Sequence, residues 1–557
     1  MKNVLKVFVC YLAMHPLMAQ DLENLGEITE RQFLQIKGSL TLGMNYYYST
    51  ADRAQQNPFN YILSGAPIIS VYGFDIPLSF TFANESFAVA GPNTDIFDRY
   101  GMSPYYKWVT VHAGYRNVAF SPYTLNNHNF LGGGFELEPG KWRVGFVYGR
   151  FREAIEEDTT AEGAIPPSYR RFGYAAKLGY GDNNNYIEFS FLKAEDDENS
   201  IETPLQTDLP PQENLVLGLS GKATLWKKFI LAGNFGASAY TEDTRAAEIA
   251  GFENFPLNLS GLYQPRASSR INFAGDISLA YQQSWYSIKA EFMQIDPEYE
   301  TMGSYFFNND LRRYTLAPSF TFWQGRLNLG GSFGLQRDNL LGDKAATTRR
   351  FINSAFMQVT PAPQFTLAAQ YGNYATQQSS GLVSINDTIR VFQVNHNISV
   401  TPSYYISGEV FMQTFVLSLS RQMLQDQNDF TENLTESQTN NANFNYQLTN
   451  NPLGYTLTAG LNYLDLAAAT QDVQRYGFTL GANKTLWSEK IKIGLTGMYN
   501  LSSADGESDG YIFTTNFNFS FIPVPAHAFV IRGQSIANNT SFKYNDYMLS
   551  ANYTFSF

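Results

Sequence analysis

Along most of this chain, apolar and polar residues alternate with a period of two. Trp142, Val144, Phe146 and Tyr148 alternate with Arg143, Gly145, Val147 and Gly149. Ile271, Phe273, Ile277, Leu279 and Tyr281 alternate with Asn272, Ala274, Asp276, Ser278 and Ala280. Tyr314, Leu316, Phe320 and Phe322 alternate with Arg313, Thr315, Ser319 and Thr321. This period belongs to strands that turn a bulky apolar face one way and a small or polar face the other. The runs are roughly 10 to 15 residues long, against about 5 to 6 in soluble domains. Tight turns recur at 138–141, 181–184, 226–228, 323–326, 361–363 and 450–452. Longer polar segments fall between them at 154–168, 198–211, 243–265, 298–310, 376–386 and 420–438. The pattern predicts about 24 strands, with 22, 24 and 26 as the candidates because single-chain bacterial barrels are normally even-numbered. One segment, 61–83, reads as one or two strands.

Composition decides what kind of sheet this is. The 557 residues include 44 Phe, 36 Tyr and 6 Trp, while charged residues make up only 16%. Mean hydropathy is −0.26 and no apolar stretch after residue 19 is long enough for a spanning helix. Strands with an apolar face but no helical spans cross a bilayer only as a closed barrel, where every backbone group finds a partner. The expected fold is therefore all-β: a single large antiparallel up-and-down transmembrane β-barrel over 36–557, with short periplasmic turns and long extracellular loops. Residues 1–19 read as a secretory signal, with Lys2 and Lys6 before the apolar run Val7–Met18 and cleavage after Ala19. Residues 20–35 read as a periplasmic N-terminal segment. Cys10, the only cysteine, lies in the signal, so disulfides and cysteine-based metal sites are excluded. Losing Lys2 and Lys6 moves the net charge from −12 to −14, which argues against nucleic acid as a partner. The run Glu195-Asp196-Asp197-Glu198 reads as a solvated loop cluster.

Two resemblances follow from particular residues. In the last strand Tyr547, Leu549, Ala551, Tyr553, Phe555 and Phe557 share one face and end on a C-terminal Phe. This resembles the β-signal captured by the bacterial barrel-assembly machinery, with Tyr547, Leu549, Tyr553, Phe555 and Phe557 as the assembly-signal residues. The Gln after the cleavage site and the Tyr/Asn/Phe-rich strands resemble outer-membrane barrels of Bacteroidota, with no characterised family assigned. That implies the cell outer membrane, its lipids and the assembly machinery as partners, with other outer-membrane proteins or lipoproteins as further candidates. The stretch Val111–Arg116, Phe120–Leu125 and Phe130–Phe135 is similar to the porin segment whose loop folds into the lumen; a plain glycine-kinked strand corner is the other reading. A plug domain like that of TonB-dependent receptors has no room before Ile36.

The pleat predicts which charges face inward: Arg143, Arg171, Lys177, Glu188, Asp276, Lys289, Glu291, Arg313 and Lys492, with Arg116 added as a constriction candidate. On a lipid face each would cost about 2–4 kcal/mol at the midplane. They serve either as an electrostatic filter or as paired braces across a wide barrel. A barrel of this size cannot be filled by wall side chains alone, so a loop or partner must close it. Loops 86–104, 115–130, 243–265 and 420–438 are the candidates. No catalytic motif, cofactor fingerprint or metal set appears. His112 and His128 flank the glycine-rich segment but read as polar barrel residues. The expected function is a passive, loop-constricted solute channel. The alternative is a structural barrel subunit of a secretion or assembly complex. An enzyme is not expected.

Overall fold

The computed structural model describes residues 34–51, 58–71, 74–83, 100–157, 167–202, 209–250, 261–305, 308–380, 391–428 and 431–557. The expected signal 1–19 and most of the 20–35 segment lie outside them. Neighbouring strands pair antiparallel from Val109–Val118 round to Tyr544–Ser556. The last strand then pairs with Ser39–Ser49, from Ser39↔Ser556 to Ser49↔Asp546, and so closes the sheet. The described residues form a barrel of 26 strands, against the expected count of about 24. Both additions fall near the N-terminus. Segment 61–83 is two limbs, 59–71 and 74–83, and Tyr100–Met102 with Tyr105–Tyr106 supplies another strand before Val109. Ser103-Pro104 breaks that strand, and a proline removes a ladder donor, so its alternation is too short to read.

Two strands overshoot the closed ring. Gly38 divides Leu34–Lys37 from Ser39–Ser49, opposite the break at Ala66-Pro67. A Cβ on Gly38 would lie 2.6 Å from both the Ala66 carbonyl oxygen and the Pro67 Cα, and its φ is +145°. Only glycine permits that approach. Beyond the break Leu34–Lys37 pairs with Ile68–Val71, which pairs with the start of Phe74–Ala83.

The two ends of the barrel differ. Residue 34, the C-terminus and a set of short turns share one end, here called the terminal end. The far end carries the long connections 152–170, 197–213, 241–269 and 295–311. The alternation of tight and long connections is not strict: two far-end links, Ala468 to Gln471 and Ala504 to Glu507, are themselves tight. Apolar side chains line the outer face all round the ring, with Phe146, Phe189, Ile277, Leu316, Phe333, Leu461, Phe478 and Leu495 all exposed. All six tryptophans lie at terminal-end turns, and all are exposed: Trp108, Trp142, Trp226, Trp285, Trp323 and Trp487.

Candidate functional site: the inner wall and its inward-folded loops

The site is the barrel interior, and its narrowing begins at Gly132 and Gly134. These glycines face inward on His128–Leu137, between the buried Phe130 and Glu136. The chain before them, 119–127, turns back on itself, with Phe120 N–H donating to the Leu125 carbonyl (2.8 Å) and Thr124 N–H to the Ser121 carbonyl (3.2 Å). It then lies against the inner wall. Leu125 is fully buried in a cluster with Val147, Ala175, Leu192 and Val216, which come from four successive strands. The wall is hollowed to receive it. A Cβ on Gly218 would meet Thr124 Cγ2 at 2.7 Å, and one on Gly236 would meet Tyr123 Cβ at 2.6 Å. Segment 119–127 folds inward, as the 115–130 reading expects, while Gly132–Gly134 keep unbroken register with both neighbouring strands, so no corner forms there.

A second loop, 296–310, locks the first. Tyr299 Oη donates to the Tyr123 carbonyl (2.7 Å), Thr301 Oγ1 to the Thr124 carbonyl (2.7 Å), and Asn126 N–H to the Gly303 carbonyl (2.8 Å). The Tyr123 hydroxyl donates to Asp276 (2.8 Å), and Met302 N–H to Asn214 Oδ1 (3.0 Å). Burial holds the Tyr123 and Tyr299 phenols well above their ordinary range, so both stay neutral donors.

Cross-strand register puts all ten expected residues on the inner face. Arg143 meets Glu188 at 3.4 Å, and Lys177 reaches Glu136 at 2.5 Å with His112 on the same carboxylate at 3.3 Å. Arg313 and Lys289 share Glu291 at 3.1 and 2.7 Å. Arg171 pairs with Asp196, as does Arg152. Asp276 accepts from Tyr123 and Asn234. These eight, on the strands beside the loops, are therefore each partnered within the wall or by a loop. Arg116 differs: its only side-chain hydrogen bond goes to Ser79 (3.3 Å), and it has no carboxylate partner among the described residues. Lys492 stands exposed on the opposite wall.

That opposite wall is of another kind. Asn443, Asn462, Asn500 and Asn516 face inward on strands from Ser437–Asn450 to Glu507–Val524, with Asn443↔Asn462 directly paired and Gln534 donating to Asn516 (2.9 Å). Inward cations here are Arg475, Lys492 and Arg532, with no ion pair among the described residues. Arg475 and Arg532 escaped the sequence reading. Val530 and Ile531 precede Arg532 on opposite faces, so both faces look apolar and parity is unreadable.

Two expectations need correction. Asp196 is not in a solvated loop: its side chain is wholly buried, on strand Tyr186–Asp197, and is held by two arginines. The described part of 243–265 does not enter the lumen either. Tyr263 folds over the outer wall onto Leu215 and Ala239, above a buried Lys193–Glu213 pair. Of 420–438, residues 420–426 and 437–438 belong to strands and Glu432–Thr435 forms one helical turn between them, with Thr431 and Thr435 hydroxyls both donating to Asp426 at 2.6 Å. Most of 86–104 lies outside the described residues. Tyr547, Leu549, Tyr553 and Phe555 share the outer face of the closing strand, and Phe557 ends it by pairing with Gly38.

No family model matches the chain, and no curated protein does. Among solved structures it is similar to OccAB2 of Acinetobacter baumannii (TM-score 0.30, 10% identity, 69% of this chain and 98% of that one). It is also similar to the P pilus usher PapC translocation pore (0.38, 9%, 94% and 100%) and to a mutant ferric enterobactin receptor, PfeA, of Pseudomonas aeruginosa (0.40, 8%, 94% and 80%). Likenesses at these scores carry no functional information.

Proposed function

We propose that this chain is an outer-membrane barrel with its terminal end in the periplasm, acting as a passive channel narrowed by loops 119–127 and 296–310. Membrane insertion is supported by the continuous apolar outer face and by the six tryptophans gathered at one rim, where such side chains anchor a barrel in the interface. The observation that carries the channel reading is the division of the interior. One side is thickened by two hydrogen-bonded loops, and the other turns Asn443, Lys492 and Arg532, all exposed, and the half-buried Asn462, Asn500 and Asn516 toward the lumen. A polar wall is what a water-filled passage needs, and a fixed loop is what keeps a wide barrel from leaking. One observation favours the subunit reading: among the described residues Leu34–Lys37 is strand-paired on one side only, below the ring, where a periplasmic strand would fit. Purified protein in liposomes should admit small neutral solutes such as monosaccharides. Liposomes that stay impermeable, together with a stoichiometric partner retained on native purification, would instead establish the subunit reading.

A further inference from the structure

We infer that the outer wall carries a binding site for a phosphorylated glycolipid headgroup of the outer leaflet, built from Arg312, Arg337 and Arg349. This rests on the membrane orientation proposed above. Arg312 pairs directly with Arg337, and Arg337 with Arg349, across three neighbouring strands. All three face outward, on the same side as the exposed Tyr314, Leu335 and Phe351 one step along each strand. Like charges directly opposite one another on a sheet repel and destabilise it. Nothing in the described residues neutralises them. Arg337 and Arg349 have no ion pair or side-chain hydrogen bond there, and Arg312 donates only to Gln294 (2.9 Å). Asp296, an outward carboxylate just past the neighbouring strand, accepts from Gln294 and from Phe273 N–H rather than from an arginine. Asp310, close by in sequence, is taken by Lys344. No described residue supplies their counter-ion, and we assign that role to a lipid phosphate.

The position identifies its source. Arg312 and Trp323 are eleven residues apart on one strand and its turn. At about 3.3 Å per residue and a tilt of about 40°, that is roughly 28 Å along the membrane normal. The apolar band of such barrels is about 25 Å tall. With the tryptophans at one interface, the arginines stand at the other. Below them an apolar groove runs over the outer surface, lined by Ile277, Leu279, Phe292, Leu316 and Phe333. Guanidinium groups above an acyl-sized groove match a lipid with a phosphorylated head: the planar donors grip phosphate oxygens and the groove takes a chain.

The test is native mass spectrometry of the full-length barrel in detergent, titrated with bisphosphorylated lipid A or with lipid A stripped of both phosphates. Wild type should retain the phosphorylated form, and dephosphorylation should cut affinity by roughly a hundredfold, since each interfacial arginine contributes on the order of 1 kcal/mol. The triple variant Arg312→Gln, Arg337→Gln, Arg349→Gln should lose the same preference while keeping heat-modifiable gel migration. Equal binding of the two lipids by wild type overturns the inference without any variant. So does undiminished binding by a correctly folded triple variant. Failure of wild type to enter lipid bilayers would overturn the orientation itself, and reads out separately.

Discussion

At the scale of single residues, three of the tryptophans hold an uncommon backbone. Trp226, Trp323 and Trp487 have φ of 49°, 51° and 52°. A bulky side chain seldom occupies that region, where glycine or asparagine would sit without strain. Placing indoles there anyway fits a role at the interface, and brominated-lipid quenching should find all six at one shallow depth. Asp196 makes a sharper prediction. Asp196→Asn leaves Arg152 and Arg171 facing each other without their shared charge, and should destabilise the barrel by about 3–5 kcal/mol in urea titrations. Asp310 gives a pH-dependent one. Burial pushes its carboxyl up, but hydrogen bonds from Leu340 N–H (2.8 Å) and Asn339 N–H (3.0 Å), with Lys344, outweigh this and hold it below its ordinary value. Asp310 in turn raises Lys344. The carboxylate contribution is present above the unfolded value of about 3.9 and is lost as pH falls through the lower folded one. The lysine contribution is lost only as pH rises past about 10.4. Hydrogen exchange at Asn339 and Leu340, corrected for intrinsic rates, should accelerate on acidification, and Asp310→Asn should abolish that dependence. None of these roles was legible in the sequence, because Asp196 sits in an acidic run and Asp310 in a polar loop. Partners from distant strands are what distinguish them.

At the scale of elements, loop 119–127 is a wedge held by shape and by polar latches. Leu125→Ala should cost about 2–5 kcal/mol of local packing, since four strands close around that side chain. It should show as faster proteolysis within 119–127 while the barrel stays heat-modifiable. Tyr123→Phe removes only the hydroxyl given to Asp276 and should leave the loop in place. The inward fold was expected for 115–130, but the docking trough was not. Gly218 and Gly236 look like ordinary small residues of an alternating strand, and only the folded wall sets them beneath Thr124 and Tyr123. The same limit hid the partner loop 296–310, whose contacts to 119–127 are made through carbonyl groups that any sequence supplies. The periodic strands themselves were read well from Val109 onward, where alternation is long. They were read poorly before it, where Gly38, Ala66-Pro67 and Ser103-Pro104 break the period.

For the whole molecule, charge is divided unevenly around the lumen. The loop-bearing side pairs its acids and bases, so those residues brace the wall and contribute little net field. The asparagine side keeps Arg475, Lys492 and Arg532 without carboxylate partners among the described residues. A channel of this design should prefer anions modestly, and the double variant Lys492→Glu, Arg532→Glu should reverse that preference in bi-ionic potentials, whereas Arg143→Gln should barely change it. The most direct test of the central claim is single-channel recording in planar bilayers, comparing wild type with a chain lacking 121–126. The account predicts stable conductance steps for wild type and clearly larger ones after the deletion, since the wedge that narrows the lumen is gone. Wild-type and deleted barrels that insert but conduct equally, or not at all, would contradict it.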